Sequence, residues 1–176
     1  MLHANADRDQ ILTTLAPLCQ GIDRDILQDF VTRMDPDYFS AFSPNTLAAH
    51  ITQAATLTPD HPCDVSIEET AGGHFLITIV AYDYFSEFAT ICGLLSAFGL
   101  NIEEGRIFTS AESEQPNRNR SADPYPIRTR PQGRPGLTRK KIVDVFTVSP
   151  IEGQTFAAAN RKRLTDQLAR MIMLLD

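Results

Sequence analysis

The chain has little sulfur chemistry to work with. Its three cysteines in 176 residues, Cys19, Cys63 and Cys92, are isolated and odd in number. That excludes a disulfide framework or a cysteine-based zinc site and is expected of reduced thiols in a cytoplasmic protein. No apolar run approaches the length of a membrane span. The opening Met1-Leu2-His3-Ala4-Asn5-Ala6-Asp7 has no basic region followed by an apolar stretch, so no secretory leader is expected. Missing too are a phosphate-binding loop, a dinucleotide fingerprint, a zinc-protease helix and a nucleophile elbow. Positive charge is the minority sign: 16 Lys and Arg stand against 22 Asp and Glu, a net charge of −6. Such a molecule as a whole does not attract nucleic acid or anionic lipid. What is present is ordinary for a soluble globular domain, 43% hydrophobic and 22% charged. The length suits one domain with an appendage and is enough to bury a core.

Two domains follow along the chain, the second with an insertion. Residues 1–60 read as an N-terminal helical arm of about three helices. Ile11, Leu12, Leu15 and Leu18 recur at helical spacing, as do Ile26, Leu27, Phe30 and Val31. Asp23 and Asp25 stand where a helix start favours negative charge. Ser43-Pro44 reads as a cap and first helical position ahead of Leu47, Ile51 and Ala54.

Residues 61–176 read as the second domain. Asp64 to Glu68 alternates polar and apolar like a half-buried strand, and Ala71-Gly72-Gly73 signals a turn. His74 to Tyr82 is a long strand with Phe75, Ile77 and Ile79 on one face and Leu76, Thr78 and Val80 on the other. Both faces are apolar, so both are expected to be covered. A helix over Ser86–Phe98, with Phe88, Ile91, Cys92 and Leu95 inward, ends at Gly99. Leu100 to Phe108 is a strand. The 110–140 stretch, rich in Pro and basic residues, is expected to be a disordered insertion. Lys141 to Val148 is the last strand, with Val143 and Val145 opposed to Ile142 and Phe146. A final helix, capped by Thr155, buries Leu164, Leu168, Met171 and Leu175. The order predicts an α+β sandwich of ferredoxin-like type.

Three segments carry a family resemblance: Ala81-Tyr82-Asp83-Tyr84-Phe85-Ser86-Glu87-Phe88, Gly93 to Ile102, and Arg106-Ile107-Phe108-Thr109. Together with Ile142 to Val148 as a third strand, they resemble the ACT signature. Met34 to Phe39 and Leu47 to Ile51 look similar to the segment preceding the first ACT domain of bacterial PII uridylyltransferases, which sense glutamine. The resemblance implies a βαββα ACT sandwich. It departs from the family in two places. Phe85-Ser86 stands where the turn usually carries Pro-Gly, and the usual fourth strand after the last helix is missing. The extra strand at Val65–Glu69, folded back through Ala71–Gly73, is expected to replace it beside His74–Tyr82.

The resemblance further implies a regulatory domain that senses a free amino acid of glutamine type, or mediates assembly, with no cofactor and no metal. A homodimer through the sheet or helices, no membrane contact and a cytoplasmic location are expected. The chain is expected to be the N-terminal part of a larger regulator of nitrogen or amino-acid metabolism, attached to an enzyme such as a nucleotidyltransferase but not itself one. The ligand-binding candidates are Asp83, Tyr84, Phe85, Ser86 and Asn101. Backbone N–H groups at a helix start hold a carboxylate, and the Asn101 amide both donates and accepts. Asp83 reads equally as a helix cap, and Asn101 as a turn residue.

Other polar residues have plainer readings. His50 is expected to be packed or capping, His61 and His74 to be loop and strand-start residues, and Asp35 and Asp37 to be helix-start carboxylates, not a metal pair. The insertion holds Arg118, Arg120, Arg128, Arg130, Arg134, Arg139, Lys140 and Lys141, 8 of the chain's 16 basic residues. It reads as a solvated loop or as a basic arm for an acidic partner or nucleic acid. Only Tyr125 is available there for base stacking, so nucleic acid is not the expected partner. A non-sensing assembly domain and a basic-loop binding module stand as the alternative functions.

Overall fold

The computed structural model describes residues 2–83, 87–112 and 139–174. The arm holds four helices, not three: α1 (Leu2–Leu15), α2 (Arg24–Arg33), α3 (Pro36–Ala41) and α4 (Pro44–Thr56). The extra one, α3, is started by Asp35-Pro36. The Asp35 carboxylate accepts from the Asp37 N–H at 2.8 Å, and Pro36 supplies the preset φ of a first helical residue. Asp23 caps α2 through the Asp25 N–H at 2.9 Å, and Ser43 caps α4 through the Thr46 N–H at 3.3 Å.

The second zone folds as β1 (Cys63–Glu69), a 3-10 turn (Ala71–Gly73), β2 (Phe75–Tyr82), α5 (Glu87–Ala97), β3 (Leu100–Thr109), β4 (Lys141–Pro150) and α6 (Ala158–Leu174). The four strands form one antiparallel sheet in the order β1-β2-β4-β3. The expected hairpin is present: Cys63 pairs with Ala81 and Glu69 with Phe75. Its turn needs φ of +78° at Gly72 and +77° at Gly73, which glycine adopts without a Cβ penalty. β4 inserts between β2 and β3, so these two are parallel to each other and are joined by the α5 crossover.

Both faces of the central strands β2 and β4 are buried, as their doubly apolar pattern demands. On one face Phe75, Ile77, Ile79, Ala81, Ile142, Phe146 and Val148 pack with Ile91 and Leu95 of α5 and Leu164, Leu168 and Ile172 of α6. On the other, Val80, Tyr82, Val143 and Val145 pack with Leu27, Phe30, Val31, Tyr38, Ile51 and Ala54 of the arm. The result is three layers, helix on sheet on helix. Ile77, Ile79 and Val143 are fully inaccessible. Each such aliphatic side chain stabilises the fold by about 1.5–3 kcal/mol relative to exposure. Because the arm covers the second face, that face requires no second copy of the chain.

Several expected details differ. α6 starts at Ala158, so Thr155 does not cap it. Phe156 is drawn into the core against Phe75, with ring centroids 5.0 Å apart, and keeps the chain out of the helix until after Ala157. Ile172, not Met171, completes the inward stripe of α6, and Leu175 lies outside the described residues. Phe88 is not inward on α5: it is 52% exposed, with its ring stacked on Phe146 at 6.2 Å. Leu18 lies beyond the end of α1 and is exposed. Most of the expected insertion, residues 113–138, lies outside the described residues, including Arg118, Arg120, Tyr125, Arg128, Arg130 and Arg134.

Candidate functional site

The chemistry-bearing residues collect at one end of the sheet, where β2 and β3 finish and β4 begins. Asp83 follows the last residue of β2. Its N–H donates to the Lys140 carbonyl at 3.0 Å, and its side chain is exposed. α5 starts four residues later at Glu87.

On β4, Asp144 sits between Ile79 of β2 and Ile107 of β3. Strand alternation puts its side chain on the face of Ile142 and Phe146, inside the α5/α6 layer. It is 2% exposed, and its Oδ1 is the one buried side-chain polar atom among the described residues with no hydrogen-bond partner. Burial first, and the Asp83 charge second, push its carboxyl pKa up to about 7. Cys92 on α5 is pushed up by burial and then by the Asp144 charge. Asp144 therefore lies within electrostatic reach of both Asp83 and Cys92.

On the arm side the same end is tightly stapled. Arg33, at the end of α2, donates from Nε to the Ala111 carbonyl at 2.8 Å and from Nη2 to the Arg139 carbonyl at 3.1 Å. Its Nη1 holds the Asp29 carboxylate at 3.0 Å, one helical turn back. Ser110 and Lys141 exchange two more bonds at 2.8 Å each. The Arg139 guanidinium lies 5.0 Å from the Tyr82 ring centroid, and Tyr82 Oη donates to the Leu57 carbonyl at 3.1 Å. The two ends of the 113–138 insertion are thus fixed to the arm beside Asp83.

Within one chain the predicted ligand residues do not all meet. Asp83 is at this end of the sheet, but Asn101 pairs with Ser149 at the other. Tyr82 pairs with Lys141, so eight β4 positions separate the two rows, about 26 Å at ~3.3 Å per residue. The parallel crossover from β2 through α5 to β3 dictates this, because it returns the chain to the opposite end of the sheet. Tyr84, Phe85 and Ser86 lie outside the described residues. Asp144, by contrast, was not singled out from the sequence. A signal for it exists: Asp at an inward position of a strand that otherwise alternates Ile, Val and Phe marks a buried polar group.

The remaining candidates take plain structural roles. His50 is 3% exposed, and its Nδ1 is 3.0 Å from the hydroxyl of fully buried Tyr38. Burial lowers its pKa to about 4, so it is a neutral core group. His61 bridges Thr58, and His74 pairs with Glu103 at 3.2 Å. No group of three or more His, Cys, Asp or Glu that could hold a metal occurs among the described residues. Two surface grooves among the described residues, about 630 and 450 Å³, lie in the arm between α1 and its neighbours, and neither is lined by a residue of the sheet. No helix is long and apolar enough to cross a membrane among the described residues. No family model matches the chain, and no curated protein matches it significantly.

Proposed function

We propose that the chain is a regulatory module of ACT type that senses a free amino acid and works as a pair of copies. The strand order β1-β2-β4-β3, with α5 and α6 on one face, carries the reading. It is the order of a ferredoxin-like sheet whose usual fourth strand is supplied by β1 from before the domain. On this reading the chain regulates an attached or partner enzyme of nitrogen or amino-acid metabolism in the cytoplasm and performs no chemistry itself.

A specific observation favours the pairing. β3 is an edge strand, exposed along most of its length, and Ile102 and Ile107 are 37% and 43% exposed. Such an edge is a template for another strand. Two β3 strands running antiparallel about a twofold axis at Gly105 set Glu104 opposite the partner's Arg106, a favourable charge pair. The same axis sets Asn101 opposite the partner's Thr109. Each Asn101 then lies at the same end of the joined sheet as the partner's Asp83, three strand spacings of ~4.8 Å away, so the two predicted ligand residues share one end of the paired sheet.

Calorimetric titration of the chain with glutamine and the other amino acids tests the sensing half. Heat with one or a few of them is the expected result. A silent titration with every one overturns sensing and leaves assembly through β3 as the function.

A further inference from the structure

An ionisable group buried without a partner weakens the fold that contains it. Asp144 is in that position: 2% exposed, on the central strand, with Oδ1 unbonded. Its neighbours do not relieve it. Asp83 carries the same charge, Cys92 is a thiol held in its neutral form, and Ile79 and Ile107 flank it in the sheet. No Lys or Arg of the described residues forms an ion pair with it. Groups that break a packing rule without a structural gain concentrate at functional sites.

We propose, resting on the amino-acid-sensing reading, that Asp144 is the cation-recognising group of the ligand site and takes the ammonium group of the bound amino acid. An ammonium group has three donors and one charge, which a carboxylate with a free oxygen accommodates, and Asp83, four strand positions beyond Ile79 and so about 13 Å along β2, adds negative charge at longer range. A divalent metal wants three or more protein or water oxygens in fixed geometry, and no such cluster stands here among the described residues. The start of α5 lies over this end of the sheet, with Phe88 of its first turn on Phe146, two residues along β4 from Asp144 on the same face. The positive end of the helix dipole disfavours a bare cation but favours a zwitterion that turns its carboxylate toward it.

The test uses the whole chain, calorimetry, and two probes: L-glutamine, and its deaminated analogue, which keeps the carboxylate and side-chain amide but lacks the ammonium. Wild type is expected to bind glutamine and not the analogue. Asp144→Asn, nearly isosteric and free of charge, is expected to weaken glutamine binding at least 100-fold while melting no lower than wild type. Asp83→Asn, at an exposed position where misfolding is not at issue, is expected to weaken it about twofold, on the scale of one charge roughly 13 Å away in water. Glutamine binding that survives Asp144→Asn within twofold, or wild-type binding of the analogue as tight as glutamine, overturns this inference and leaves amino-acid sensing standing. Wild-type heat with Mg²⁺ or Mn²⁺ alone, abolished by Asp144→Asn, overturns it in favour of a metal site. A wild type that binds none of the amino acids removes both the sensing reading and this inference.

Discussion

The two faces of the sheet solve the same burial problem differently. Toward the arm, most buried polar groups are paired: Tyr38 with His50, Arg33 with Asp29 and two carbonyls, and the Ser110 hydroxyl with the Lys141 backbone N–H, while the buried Lys141 ammonium is pushed down in pKa by burial and only partly offset by the Asp29 charge. No buried side-chain polar atom on that side lacks a partner among the described residues. Toward α5 and α6 the layer is almost wholly apolar, and its one buried charge-bearing group, Asp144, is left unsatisfied. A satisfied polar network fixes one arrangement of the elements it joins. A lone carboxylate in an apolar layer opposes stability. The arm face is fixed by its paired groups, and the α5/α6 face carries the unpaired group to which the proposed ligand site is assigned.

The largest test of that contrast is Arg33→Ala. It leaves the Asp29 carboxylate and the carbonyls of Ala111 and Arg139 short of the partner they share. Breaking a buried charge network by removing one member destabilises by about 3–5 kcal/mol. Urea unfolding should report a loss of that order. A change within experimental scatter of zero shows that the clamp does not hold the arm to the sheet, and the contrast fails.

Acid and base titrate the two faces in opposite directions. Asp144 has a folded pKa of about 7 against an ordinary value of 3.8. In this window the folded chain holds more protons than the unfolded one, so stability falls as pH rises from about 4 to about 7 and is flat above. His50 has a folded pKa of about 4 against 6.5. There the unfolded chain holds more protons, so stability is fully present above about 6.5 and is lost as pH falls toward 4. At ~1.4 kcal/mol per pKa unit the two limbs reach about 4 and about 3 kcal/mol as ceilings. Asp144→Asn should therefore raise the melting temperature little near pH 4, progressively more up to pH 7, and by a constant amount beyond. His50→Gln should flatten the acid limb. A pH-independent gain from Asp144→Asn means that the carboxyl is not ionised at a cost in the fold.

Much of this architecture was legible in the residues. The alternation in Phe75 to Tyr82 announced two covered faces, and Ser43-Pro44 and Asp35 announced helix starts that the hydrogen bonds repeat. The hairpin through Gly72-Gly73 followed from its turn residues. The cover of the second face was not legible as the arm, because amphipathic helices state that they need a partner and not which one. The start of α6 was lost to Phe156, whose burial against Phe75 is a tertiary contact that overrides the local capping signal of Thr155. The candidate ligand residues were legible one by one but not as a cluster. Asp83 directly follows β2, while Asn101 lies at the far end of the sheet because of a crossover that the strand order itself implies. Asp144 was hidden because its neighbours on both sides are valines, so the segment reads as a strand before it reads as a site.

The smallest predicted effect sharpens the contrast from outside the core. β3 presents Glu104 and Arg106 on the arm face of the edge, where the two side chains bond each other at 2.7 Å and are about half exposed. As an intrachain pair this contributes about 0–1 kcal/mol, but Arg106 also donates from Nη1 to the Ala41 carbonyl at 3.0 Å and lies over the Phe42 ring, so Arg106→Glu gives up an arm contact that Glu104→Arg keeps. In the proposed pairing about Gly105, each Glu104 faces the partner's Arg106, and the contact occurs twice. Glu104→Arg sets like charges opposite each other in both places. At ~0.5–1 kcal/mol per contact the dimer should weaken about five- to thirtyfold. Arg106→Glu should do the same, and the double exchange Glu104→Arg with Arg106→Glu should restore association, because only the order of the charges is reversed. Light scattering across a dilution series reads all four chains. Restoration by the double exchange is a signature that mere loss of stability cannot produce. A wild type that stays monomeric throughout removes the β3 pairing, and with it the route by which Asn101 of one copy reaches the Asp83 end of another.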